Sequence, residues 1–223
     1  MSKLYHFTLD PYCRRIRLAL AEKGEAVQLV DEKPWAPSQQ FVDLNPSCLL
    51  PVLVEDSGQA ICGAEALGEY LEEQYPKVNL MPGNAFARAE IRRLVAWFDV
   101  KFYTEVSEPL LTEKVVKRFM SGPASPDMSR VRAASQRLKA HLDYVAWLAE
   151  QRSWLAGEEL SLADLAASAH LSAIDYLGAI DWAENPAAKS WYQRIKSRPS
   201  FRVLLNDTVA AMAPAASYAD LDF

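Results

Sequence analysis

Asp10-Pro11-Tyr12-Cys13, followed at once by Arg14-Arg15-Ile16-Arg17-Leu18, brings a carboxylate, a thiol and three guanidinium groups into one short run. A thiol in the first turn of a helix, with cations beside it, is easier to ionise. The pattern therefore points to sulfur chemistry at the mouth of a cleft. Yet the leading position of the turn, where an attacking hydroxyl or thiol would stand, is Asp10. A carboxylate cannot serve as a thiol nucleophile and repels a thiolate. Two readings of Asp10 remain: an N-cap for the helix that Pro11 begins, or a general base, which needs a raised pKa in a closed pocket. Cys13 stands at the second, resolving position of a dithiol turn whose first thiol is missing. It shares a helical spacing with Ile16 and Leu20, which predicts a buried structural cysteine, with a reactive thiol as the alternative.

The elements that position this turn read clearly. Lys3 to Thr8 reads as a strand, and Gly24 ends the helix that Asp10 opens. Ala26 to Val30 forms a second strand. Val52-Leu53-Val54 and Gln59-Ala60-Ile61-Cys62 make a hairpin around Glu55-Asp56-Ser57-Gly58. A helix follows from about Ala64 to Tyr75, where Pro76 stops it. The order is βαβ, an irregular or short helical stretch, then ββα. Beyond a linker with Pro82 and Gly83 the pattern is helical throughout. Phe86, Ile91, Leu94, Phe98 and Phe102 mark one long amphipathic helix, and Val131, Ala134, Leu138, Leu142, Val145 and Leu148 another. A loop is expected at 121–126. Ser161 and Asp164 form a capping box. The expected division is 1–77, a linker at 78–84, a helical part at 85–215 and a tail at 216–223.

The 223 residues are half hydrophobic, a quarter charged, and carry a net charge of −5. This suits a soluble globular chain with a sizeable core. There is no basic stripe of the kind nucleic acid requires, and no apolar run long enough for a membrane span. The N-terminus lacks the pattern of a signal peptide. Cys13, Cys48 and Cys62, with His6, His141 and His170, are scattered. Neither a disulfide framework nor a metal site is expected, and a reducing cytoplasm is the expected home.

Other residues invite binding rather than chemistry. Trp35 lies between two prolines in Lys33-Pro34-Trp35-Ala36-Pro37. A stiffened loop around a large aromatic suits an interface anchor; the alternative is an indole folded back on its own domain. Asp220-Leu221-Asp222-Phe223 is acidic yet apolar, and suits docking either on the chain itself or on a partner. Tyr5 and His6 are expected to pack.

This plan resembles the glutathione S-transferase family over essentially the whole chain. Leu4-Tyr5-His6-Phe7 through Gly24 is similar to its first strand and helix. Asn45-Pro46 and Leu49-Leu50-Pro51-Val52-Leu53 resemble the segment bearing its cis-proline, here Pro51. The Ser161–Asp164 cap, Trp191-Tyr192 and Arg198-Pro199-Ser200-Phe201 resemble its later helices. The resemblance implies an α/β thioredoxin-like N-terminal domain plus an all-α C-terminal domain. It also implies a glutathione cleft at Asp10, Cys13, Leu50, Pro51, Gly63 and Ala64. The family's nucleophile position falls on Asp10, and its acidic-Ser pair falls on Gly63-Ala64, so both side-chain functions are missing. Hydrogen bonds to a charged group contribute about 1.5–3 kcal/mol each. Their loss should weaken glutathione binding a hundredfold or more. The altered turn, the Pro34-Trp35 loop and the terminal 220–223 resemble the FtsZ-binding, transferase-like division proteins of alphaproteobacteria. That resemblance implies a non-enzymatic homodimer, without cofactor, that binds FtsZ filaments at the division site and alters their curvature and bundling. Contacts are expected through Trp35 and Arg14, Arg15 and Arg17. The tail, Asp220, Leu221, Asp222 and Phe223, would meet other division machinery. The alternative is a divergent glutathione S-transferase or thiol-transferase with a small-molecule substrate.

Overall fold

The computed structural model describes residues 1–120, 125–210 and 212–223. Of the loop expected at 121–126, residues 121–124 lie outside the described residues. No helix among the described residues is long and apolar enough to cross a membrane.

The first part builds a four-stranded sheet in the order β2-β1-β3-β4: β1 (Lys3–His6), β2 (Gln28–Asp31), β3 (Val52–Val54) and β4 (Ala60–Cys62). β1 runs parallel to β2 and antiparallel to β3, and β3 pairs with β4 as the expected hairpin. Successive side chains of a strand point to opposite faces. Leu4 accordingly enters the main core, while Tyr5 joins Cys13, Phe41, Leu50 and Val52 on the other side.

α1 (Pro11–Lys23) begins where Asp10 caps it and stops at Gly24, whose φ of 77° suits a residue without Cβ. Ile16 and Leu20 are buried, as their spacing predicts. The stretch between β2 and β3 holds a short helix, α2 (Gln39–Leu44), capped by Ser38. α3 (Ala64–Gln74) follows β4.

A continuous helical run, α4, covers 85–119. It is α-helical over Ala85–Ala96 and widens to π-type turns over Trp97–Ser107 and again over Thr112–Val116. Pro109, which has no N–H to donate, sits between the two widened stretches. α5 (Met128–Gln151) returns alongside it. α6 (Leu162–Tyr176) is buried along its whole length. Its apolar residues place it at the centre of the fold, where its buried polar side chains are bonded by neighbouring elements, and α6 packs against both α1 and α4. The capping box forms as the sequence predicts. Asp164 additionally accepts from the Leu155 N–H at 2.9 Å and the Trp191 indole at 3.0 Å. α7 (Pro186–Lys196) and α8 (Arg202–Leu205) complete the helical part.

Candidate functional site: the head of the first helix, the cis-proline loop and the Trp35 stack

At the head of α1, an Asp10 carboxylate oxygen accepts the Cys13 N–H at 2.8 Å, so the N-cap reading is what the backbone realises. Burial, opposed by hydrogen bonds at the cap, pushes the Asp10 pKa up to about 6, and the charge of Asp99 adds to the rise. Cys13 is fully buried, and burial pushes its thiol well up, with Asp10 adding to the shift. The helix terminus and the nearby arginines do not overcome this desolvation. Tyr12 does not face the cleft as a donor: its hydroxyl bonds the Asp99 carbonyl at 2.6 Å and its ring lies 4.9 Å from Tyr103.

Leu50-Pro51 is cis, and the Pro51 carbonyl accepts the Gly63 N–H at 3.0 Å. Gly63 caps α3 with φ at 90° and no side-chain bond, and Ala64 behind it is buried. The backbone of the cis-proline loop is thus bonded to the head of α3. Asp10 supplies a carboxylate, while Gly63 and Ala64 supply no polar side chain.

The structure corrects the expectation for Arg14, Arg15 and Arg17: none lies on the surface, each being at most 5% exposed. Arg14 donates to Ser172 at 2.7 Å, Asp207 at 3.0 Å and the Tyr218 hydroxyl at 3.0 Å. Arg15 pairs with Asp99 at 2.7 Å, and Arg17 pairs with Asp207. A buried guanidinium must be paired, and these three are consumed in joining α1 to α4, α6 and the last stretch of chain.

Sequence reasoning missed a further constellation. The Ser107 hydroxyl lies 2.9 Å from His170 Nδ1, and Asp99 lies 3.4 Å from His170 Nε2. The residue types suggest a nucleophilic triad, but Ser107 and His170 are completely buried and burial lowers the imidazole pKa. It is a core network. No local signal links positions so far apart in the chain.

Trp35 is half-buried and packs both on its own part of the chain and on the helical part. Its indole stacks on Phe119 at 6.1 Å and 10°, with Phe7 edge-on at 5.3 Å. The tail is anchored in alternate places. Tyr218 is buried, with its hydroxyl donating to the Leu204 carbonyl. Lys196 Nζ donates to the carbonyls of Ser217 and Asp220 and sits 3.9 Å above the Phe223 ring. Phe223 is therefore held against the chain, while Asp220, Leu221 and Asp222 are exposed. Lys196 was not singled out by the sequence.

Two family models match: the N-terminal domain of glutathione S-transferase over residues 11–74, and its C-terminal domain over 110–199. The chain is 46% identical to FtsZ-localized protein A of Caulobacter vibrioides, over 99% of this chain and 97% of that one. The solved structure of FzlA from C. crescentus superposes with a TM-score of 0.96 at 44% identity, covering 100% of this chain and 99% of that one. A glutathione S-transferase from Rhodospirillum rubrum F11 gives 0.97 at 49%, with both chains fully covered. With the cis-proline frame, the mixed sheet and the helical part in place, the chain belongs to the glutathione S-transferase family.

Proposed function

We propose that this chain is a GST-like division protein that binds FtsZ filaments and acts through shape instead of chemistry. The observation that carries the reading is the cleft: its frame is kept while Asp10, Gly63 and Ala64 replace the groups that would ionise a thiol and hold a γ-glutamyl end. The likeness to a relative called FtsZ-localized supports the same reading. It would act in the cytoplasm at the division site, without a cofactor, as a homodimer. Phe86, Val100 and Trp147, on α4 and α5, expose 85%, 65% and 53% of their surface, a burden a second copy would relieve. A two-fold dimer carries two copies of any binding face, so it would bridge filaments with the avidity of bivalence and fix the angle between them. The chain divides functionally into a thioredoxin-like part at 1–77, a linker at 78–84, a helical part at 85–215 and a tail at 216–223. The tail would meet a second partner through Asp220, Leu221 and Asp222.

The test pairs two titrations of the purified protein. Co-sedimentation with FtsZ polymer should show saturable binding, and calorimetry with glutathione should show none in the micromolar range. Tight glutathione binding without filament binding would reverse the proposal. One observation favours a second reading, a divergent transferase: Asp10, with a pKa raised to about 6, is suited to general-base work near neutrality.

A further inference from the structure

A hollow of about 670 Å³ beside the end of α4 has Glu113 and Lys117 in its wall, already paired with each other. A cavity of about 190 Å³ between α3 and α4 is lined by Arg15, whose Nε and Nη2 have no partner among the described residues, but both nitrogens are sealed beneath other atoms. The hollow at Trp35 is built differently.

It encloses about 480 Å³ between the loops that follow β1 and β2 and the end of α4. Its walls are aromatic: Trp35 has Phe7 edge-on at 5.3 Å and Phe119 stacked at 6.1 Å. Its charged lining is Asp31, Glu32 and Lys33, two acids against one base. The Asp31 side chain is 87% exposed, and its ion partner among the described residues is the His6 imidazole at 3.3 Å. Burial, and then the charge of Arg17, pushes the His6 pKa down to about 4. The imidazole is therefore neutral near pH 7 and leaves the Asp31 charge uncancelled. Glu32 accepts from the Lys33 N–H at 3.3 Å, the Ser38 N–H at 2.8 Å and the Ser38 hydroxyl at 2.7 Å. These neutral donors fix its carboxylate without removing the charge. Ring faces attract cations, tryptophan most strongly. Aromatic walls with an excess of carboxylate thus select a cation and disfavour an anion. The chain uses the same pairing internally, where the Arg194 guanidinium lies 4.5 Å from the centre of the Trp154 ring.

We propose that the Trp35 hollow receives an arginine side chain of the partner protein, with its guanidinium against the indole and within reach of the Asp31 carboxylate. The inference rests on the filament-binding reading and reverses the charge expected at the contact: the cation is the partner's, not one of those on α1. A guanidinium suits the hollow better than an ammonium. It is planar and weakly hydrated, stacks on aromatic rings, and can pair with a carboxylate through two N–H groups at once.

The test compares Trp35→Leu, Asp31→Lys and Glu73→Lys, the last an equal charge reversal at an exposed site on α3. Each is checked for an unchanged circular-dichroism spectrum. Two probes are used. One is FtsZ polymer in co-sedimentation. The other is a Gly/Ser peptide bearing one isotope-labelled Arg, whose side-chain N–H resonance is followed as protein is added, beside a citrulline peptide of the same shape without the charge. The wild type should bind the Arg peptide saturably and the citrulline peptide at least fivefold more weakly. Trp35→Leu and Asp31→Lys should each weaken binding of the Arg peptide and of the polymer at least fivefold, and Glu73→Lys should change neither more than twofold. Equal binding of the two peptides, or equal losses in Glu73→Lys, would overturn the arginine site. Wild-type polymer affinity in both Trp35→Leu and Asp31→Lys would overturn it too, while leaving the filament reading in place. A protein that binds the Arg peptide in the expected pattern but ignores the polymer would uphold the site and refute the FtsZ reading.

Discussion

Arg17 holds Asp207 end-on, with Nη1 2.9 Å from one carboxylate oxygen and Nη2 2.7 Å from the other. The pair joins residues far apart in the chain, and both side chains are at most 10% exposed. Arg14 adds a third bond to the same carboxylate. One carboxylate is thus shared by two buried cations, and the Tyr218 hydroxyl and Ser172 supply further acceptors for Arg14.

Removing that acid should be costly. A buried charge left without its partner costs about 3–5 kcal/mol, and Asp207→Ala strands two guanidinium groups. The expected loss lies in that range by urea denaturation. Asp207→Asn, which keeps an acceptor, should lose less. A variant within about 0.5 kcal/mol of wild type would mean that the clamp does not hold the last stretch of chain to α1.

Trp35 and Phe119 should be energetically coupled across the two parts of the molecule. Stacked aromatic pairs contribute about 0.5–1.5 kcal/mol beyond the area they bury. A double-mutant cycle of Trp35→Ala and Phe119→Ala should return a coupling of that size, because the rings lie 6.1 Å apart and nearly parallel. Strict additivity would show that the stack does not persist in solution.

The three thiols should differ in reactivity. Cys13 is fully buried with its thiol pKa well raised, whereas Cys48 and Cys62 are half-buried. With Ellman's reagent at neutral pH, Cys13 should react only at the rate of unfolding and become available in denaturant. Rapid modification of Cys13 in the native protein, read by peptide mass, would restore the reactive-thiol reading. Thiolate formation, not mere presence, governs that rate.

The sequence made the frame of the cleft legible and left its surroundings dark. Asp10, Pro11 and Gly24 act through the backbone of their own neighbours, so the start and end of α1 could be read locally. The Ser161–Asp164 box is equally local, whereas the cis bond before Pro51 was expected only from the family resemblance. The arginines of α1 misled because charge was read as exposure. Their acids, Asp99 and Asp207, come from distant parts of the chain, and no short-range pattern announces such partners. Trp35 stood out between its two prolines, but its stacking partner Phe119 could not be found, since it depends on how the two parts dock. Lys196 looked like an ordinary helical lysine. Only the fold brings the carbonyls of Ser217 and Asp220 and the ring of Phe223 to it.

The last prediction concerns pH, where Asp10 and His6 pull in opposite directions. Burial raises Asp10 from 3.8 to about 6. An acid whose folded pKa is raised contributes stability that is complete below its unfolded value and is lost as pH climbs through the folded one. His6 is lowered from 6.5 to about 4, by burial and then by the charge of Arg17. A base lowered in this way contributes stability that is complete above its unfolded value and is lost as pH falls through the folded one. Each displacement corresponds to at most about 3 kcal/mol. Between about pH 4 and pH 6.5 the two slopes nearly cancel in the wild type. Asp10→Asn keeps an acceptor for the Cys13 N–H but removes one titration, so the remaining His6 slope is exposed. The stability of this variant relative to wild type should rise across that interval by up to about 3 kcal/mol, followed by urea denaturation at several pH values. A difference independent of pH would show that the Asp10 carboxyl titrates near its ordinary value. It would also remove the one observation that favours a general base in the cleft.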